Sequence, residues 1–130
     1  MDATTRERSI GQSLTIDRDS NLEQYRQIII EVLMRQVGVP TIGGDITIVP
    51  VFDRENDHYQ LLDMGWDNSG KRVFQPIVHV DLIDEKVWIQ ENMTDSDIAK
   101  VFVEKGIHPS TIVLGFYSRS QRQLGEYAIE

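Results

Sequence analysis

Between Asp53 and Gln90 the chain alternates runs of strand formers with polar turn clusters, reading DRENDHYQLLDMGWDNSGKRVFQPIVHVDLIDEKVWIQ. This pattern predicts three strands and two hairpin turns. With the apolar run before it, the segment becomes a four-stranded meander with strands at 45–52, 58–66, 72–82 and 86–91. The turns are Asp53-Arg54-Glu55-Asn56-Asp57, then Asp67-Asn68-Ser69-Gly70, then one centred on Asp84-Glu85. Each is built from residues that favour tight turns over strands.

Side chains alternate between the faces of a sheet along every strand. Pairing Val80 with His58 and Ile89, and Pro50 with Gln60, gathers Ile46, Ile48, Phe52, Leu62, Met64, Trp66, Phe74, Val78, Val80, Leu82, Val87 and Ile89 on one face. The opposite face takes Thr47, Val49, Val51, Tyr59, Leu61, Asp63, Gln75, Ile77, His79, Asp81, Trp88 and Gln90. One set is core-like and the other mixed, the contrast expected of an antiparallel sheet covered on one side. A one-residue slip would scramble both sets.

Helices flank the meander. Glu23 to Gln36 carries Tyr25, Ile29, Val32, Leu33 and Gln36 near helical spacing, with Ser20 or Asn21 as cap and Gly38 and Pro40 as the stop. Asp95 to Glu104 is a second helix, opened by a capping-box-like Thr94 and Asp97 and ended by Gly106. Ile112 to Phe116 is a short apolar element, either a strand or a buried connector. The expected architecture is therefore α+β: an N-terminal helix, a four-stranded antiparallel meander, a second helix and a short C-terminal element. At 130 residues this is one domain over 21–130, with residues 1–20 as an N-terminal extension or arm.

Charge is unevenly placed. Residues 45–99 hold twelve acids against four bases, a net of −8, whereas 1–44 hold six acids against five bases and 100–130 three acids against four bases. An acidic sheet opposes direct binding to duplex DNA, whose affinity comes largely from neutralising phosphates. It suits a basic protein partner, although solubility alone also accounts for such a charge. The chain has no cysteine, which excludes thiolate catalysis and cysteine-ligated zinc and fits the cytoplasm. No apolar run approaches the roughly 20 residues that a membrane span needs, and no membrane association is expected.

No catalytic or metal motif declares an activity. His58 and His79 fall on opposite faces in the register above, so they are not expected to share an ion. His108 lies in a distant loop, the acidic turns lack EF-hand spacing, and no metal or other cofactor is expected. Tyr59, His79, Asp81, Trp88 and Gln90 come together on the mixed face. They fit packing beneath a helix, a protein interface, for which Tyr and Trp are common anchors, or acid–base chemistry by His79 and Asp81. Arg119 and Arg122, with Lys100 and Lys105, make a mild basic patch that offers a direct nucleic-acid contact. The unpaired strand edge near 45–52 allows a homodimer.

The words YRQII at Tyr25–Ile29, DHYQLLDMGWD at Asp57–Asp67, RV at Arg72–Val73, His79, VWIQ at Val87–Gln90, DIA at Asp97–Ala99 and IVLGF at Ile112–Phe116 run in collinear order over residues 22–130. In these words the chain resembles the XisI family of fdxN-element excision controlling factors. The resemblance implies a cyanobacterial-type, non-enzymatic accessory protein with an α+β fold. It would act with an XisH-like, endonuclease-related partner to control excision of a DNA element by a separate site-specific recombinase. DNA contact would then be indirect, through the partner. No catalytic residue is implied at the matched positions. Three features depart from the family pattern: residues 1–20 precede its usual start, Asp84-Glu85 stands where Asp-Gly is usual, and Tyr117 stands where His is frequent. Glu85 is expected to resist the positive φ of a type I′ turn, favouring a different turn there.

Overall fold

The computed structural model describes residues 20–130; the expected extension lies outside them except for Ser20. Helix α1 covers residues 20–34 and buries Ile28, Ile29, Val32 and Leu33, one stripe at helical spacing. A meander follows: β1 (Gly44–Asp53), β2 (His58–Asp67), β3 (Arg72–Ile83) and β4 (Lys86–Asn92). Helix α2 (Ile98–Glu104) then carries the chain to β5 (Ile112–Leu114), and α3 (Arg119–Arg122) is a short turn of helix near the end.

The sheet has five strands in the order β1-β2-β3-β4-β5. The first four pair antiparallel, and β5 pairs parallel to β4 through Val87↔Ile112, Trp88↔Val113 and Ile89↔Leu114. The C-terminal apolar run is thus a strand, one more than the meander alone supplies. Its direction follows from α2, since a parallel neighbour needs a crossover. Both helices contribute to one core with the sheet: Ile98, Ala99 and Phe102 of α2 join Ile29 and Leu33 of α1 against Tyr59, Leu61, Val78, Val80, Val87 and Ile89. Lys105 just after α2 donates to Glu31 of α1 at 2.9 Å.

Strand positions agree with expectation to within about a residue, but the register does not. Pro50 pairs with Leu61 rather than Gln60, and Val80 with Tyr59 rather than His58. The loop between β1 and β2 is one residue longer than assumed, because the pair closing the hairpin is Asp53↔His58. This reverses β2: Tyr59 and Leu61 become fully buried, and Leu62, Met64 and Trp66 move to the other face. A bulge then places Ile77 between the paired residues Pro76 and Val78, so Phe74 turns outward with Met64. The Val80↔Ile89 pair stands as expected, and a second bulge leaves Gln90 unpaired between Ile89 and Glu91.

Two local corrections concern chain turns. Helix α2 is capped by Asp97, which accepts from the Lys100 amide, rather than by Thr94. The β3–β4 turn does take positive φ at both Asp84 (51°) and Glu85 (65°). The pair Ile83↔Lys86 leaves only these two residues for the turn, and the right-handed strand twist demands that geometry whatever residues occupy it. Gly65 has a different role. With φ 153°, it lies so close to β1 that a Cβ would meet the Asp45 carbonyl oxygen, which makes glycine necessary in mid-strand.

Candidate functional site

Directly opposed residues of a sheet share a face, so the ladder defines the surface turned away from α1 and α2. Arg72, Trp66 and Asp45 lie in line at one end, followed by Phe74, Met64 and Thr47, then Pro76, Leu62 and Val49. Beyond these come His79, Gln60 and Val51, and finally Trp88, Asp81, His58 and Asp53. The far end is apolar and open to water: Trp66 is 52% exposed and Phe74 60%. The Arg72 guanidinium lies 5.2 Å from the centre of the Trp66 ring.

The near end is polar and organised around Asp81, the one buried charged side chain among the described residues. Its Oδ1 lies 2.7 Å from His58 Nδ1 and 2.7 Å from His79 Nε2, and Gln90 donates to its Oδ2 at 3.3 Å. The bulge at Gln90 gives that side chain its approach. Burial raises the Asp81 pKa, but hydrogen bonds from the two imidazoles and Gln90 outweigh it and leave the carboxyl below its ordinary value. The hydrogen bond to Asp81 raises the His58 pKa, with the charges of Asp81, Asp53 and Asp57 adding to it. The three side chains each offer one ligand atom, and all three atoms lie within 4.8 Å of one another.

His79, Asp81, Trp88 and Gln90 therefore do meet on one face, as expected. Tyr59 does not join them. It is fully buried on the core side, where its hydroxyl donates to Asp57 Oδ1 at 2.8 Å. Asp57 also receives Arg26 of α1, at 2.8 Å from Nε and 3.1 Å from Nη2. His58 takes the place of Tyr59 on the free face, correcting the expected separation of the two histidines: their ring centres are 6.0 Å apart. The signal that could have found it is the pairing sum of the β1–β2 hairpin. One extra loop residue brings His58 opposite Asp81.

The C-terminal arginines separate. Arg122 lies with its guanidinium 5.3 Å from the centre of the Trp88 ring, and its buried Nε has no hydrogen-bond partner among the described residues. Arg119 pairs with Glu130. Gly115 packs against Trp88 and Gln90 so closely that a Cβ there would strike the Gln90 amide oxygen. Trp88 is thus half-covered by its own chain, and the more exposed aromatic surface belongs to Trp66 and Phe74. Two cavities of about 370 and 290 Å³ lie elsewhere, lined by Asn21, Leu22, Tyr25, Glu85 and Thr111 and by residues including Ile89, Ile98, Leu114 and Tyr127. Neither opens onto His79 or Asp81.

Comparison with known proteins agrees with this architecture. A family model described as XisI protein matches residues 19–129. A crystal structure of a XisI-like protein from Anabaena variabilis ATCC 29413 superposes with a TM-score of 0.76 at 28% identity, covering 84% of this chain and 99% of that one. The structure of the fdxN element excision controlling factor XisI from the same organism gives a TM-score of 0.68 at 31% identity, covering 85% of this chain and 99% of that one. No curated protein matches the chain in sequence. No helix among the described residues is long and apolar enough to cross a membrane.

Proposed function

The chain belongs to the XisI family, and on that premise we propose that it is a non-enzymatic regulatory protein controlling excision of a DNA element through an XisH-like, nuclease-related partner. The recombination itself is carried out by a separate site-specific recombinase, and this protein acts in the cytoplasm without touching DNA directly. The observation that carries the proposal is the free sheet face. It presents the exposed rings of Trp66 and Phe74, with Arg72 and Asp45 beside them, in a segment (residues 45–99) whose net charge is −8. That combination fits a basic protein surface, with the rings supplying affinity and the charges supplying steering.

The mechanism is masking: the acidic sheet covers a basic DNA-binding cleft of the partner, and release of the partner restores DNA access. Trp66 and Phe74 replace Tyr59 and Trp88 as the leading anchors, because Tyr59 is buried and Trp88 is half-covered. Direct DNA binding by Arg119 and Arg122 is disfavoured, since one is held by Glu130 and the other lies over Trp88. Acid–base catalysis by His79 and Asp81 is disfavoured, since neither of the two cavities described above opens onto those residues. Among the described residues β1 has a strand neighbour on one side only, and pairing of two copies along it is the homodimer this fold offers.

Co-expression with an XisH-like protein, followed by size-exclusion chromatography with light scattering, tests the partnership. Co-elution at fixed stoichiometry is expected, weakened at least about ten-fold in affinity by the double change Trp66→Ala and Phe74→Ala. Separate elution at micromolar concentrations would overturn the partnership. A ternary complex with DNA, with no loss of DNA affinity, would remove masking alone. The same chromatograph run on the protein by itself reads the homodimer.

A further inference from the structure

We propose that His58, His79 and Asp81 form a binding site for a divalent first-row transition-metal ion of the zinc class. The ligand atoms are His58 Nδ1, His79 Nε2 and Asp81 Oδ1, all within 4.8 Å of one another. Both nitrogens already sit 2.7 Å from the same oxygen. Metal–ligand distances near 2.0–2.1 Å place neighbouring ligand atoms roughly 2.9–3.4 Å apart, depending on geometry. Seating the ion opens each nitrogen–oxygen contact by a few tenths of an ångström and draws the two nitrogens, which lie within 4.8 Å of each other, closer together through rotation of the exposed His58 ring.

Three further observations favour a cation there. Asp81 is the one buried charged group among the described residues, and burying a charge is costly unless it is paired or coordinates a metal. No lysine or arginine among the described residues reaches it, and its ion-pair partners are the two histidines. The ligands also stand on adjacent strands: His58 is the ladder partner of Asp81, and His79 lies two residues before it on β3. The sheet therefore holds all three backbones in place before any ion arrives. Gln90 donates to the second carboxylate oxygen, the kind of outer contact that orients a metal-bound carboxylate.

The donor set selects the ion. Two imidazoles and one carboxylate suit zinc, cobalt, nickel or ferrous iron, whereas magnesium and calcium prefer all-oxygen ligands. His58 has 55% of its side chain exposed, so the remaining coordination positions face water. This inference goes beyond the regulatory role and stands independently of it.

The test uses the untagged full-length chain, whose histidines are only His58, His79 and His108 and which has no cysteine. Titration with Co²⁺ and Zn²⁺, followed by visible absorption and calorimetry, is expected to show one saturable site at micromolar affinity. Mg²⁺ at the same concentrations is expected to leave no trace. H58Q and H79Q should each weaken binding at least about ten-fold, with H108Q unchanged. Imidazole nitrogen–proton spectra of the unaltered protein read the same point without any substitution. Zinc should move the signals of His58 and His79 and leave that of His108 in place. Absence of saturation up to about 1 mM, a level at which adventitious sites begin to fill, would overturn the site. So would unchanged affinity in either histidine variant, equal binding of Mg²⁺, or a shift confined to His108.

Discussion

Asp57, the last residue of the β1–β2 turn, and Asp81 of β3 are both withdrawn from water, yet they are neutralised in different ways. Asp57 ends the β1–β2 turn and faces helix α1. It receives a bidentate contact from Arg26 of α1 and the Tyr59 hydroxyl. Asp81 faces away from the helices and has two imidazoles and a long contact from Gln90. The first carboxylate has a permanent cation, carried by a side chain that ties α1 to the sheet. The second has two imidazoles and an amide, with no lysine or arginine partner among the described residues. Arginine keeps its proton throughout the physiological range, whereas histidine titrates within it and binds metals. The Asp57 cluster is thus a structural closure, while the Asp81 cluster can change occupant without loss of the fold.

Breaking the first cluster tests that difference most severely. Arg26→Met should cost about 2 kcal/mol in urea unfolding, because it leaves a largely buried carboxylate without its cation. A cost below that of His58→Gln would reverse the comparison. Acid titration sharpens it. Burial raises the Asp57 pKa, but hydrogen bonds from Arg26 and Tyr59 and the charge of Arg26 outweigh it, so folding lowers the pKa overall. Its contribution to stability is therefore complete above the ordinary carboxylate value of 3.8 and is lost as pH falls through the depressed folded value. Asp57→Asn, which suits the φ of 61° at that position, should remove this part of the acid limb and lower stability at neutral pH.

Tyr59→Phe comes next. The ring stays packed, one donor to Asp57 is lost, and the expected cost is about 1 kcal/mol by thermal or urea unfolding. His58→Gln is the smallest effect, below about 0.5 kcal/mol, as befits an exposed side chain. A large loss on this change would place His58 in the structural framework and erase the contrast between the clusters.

Much of the fold was legible from composition over short windows. Strand limits, three hairpins and two helices follow from apolar runs, turn formers and stop residues that act within a few positions of themselves. Legibility failed at the faces. Leu61 and Leu62 are adjacent and both apolar, so β2 reads equally well in either parity, and only one of the two enters the core. The extra residues Ile77 and Gln90 each break period two, and neither carries a glycine that would mark a bulge. The candidate site suffered from the same ambiguity. His79, Asp81, Trp88 and Gln90 were within reach of sequence reasoning because they share the β3–β4 hairpin, whereas His58 depended on a second hairpin whose loop was longer by one residue.

The sequence by itself determined where the chain extends, turns and coils, and it concentrated acid on the sheet, because those properties depend on residues close together along the chain. Only the tertiary structure decided which side of the sheet each residue faces. Packing of α1 and α2 selects one register from several that local preferences allow, and a single inserted residue reverses every side chain beyond it. For that reason Tyr59 lies in the core, Trp66 and Phe74 lie in water, and His58 meets His79 at one oxygen of Asp81.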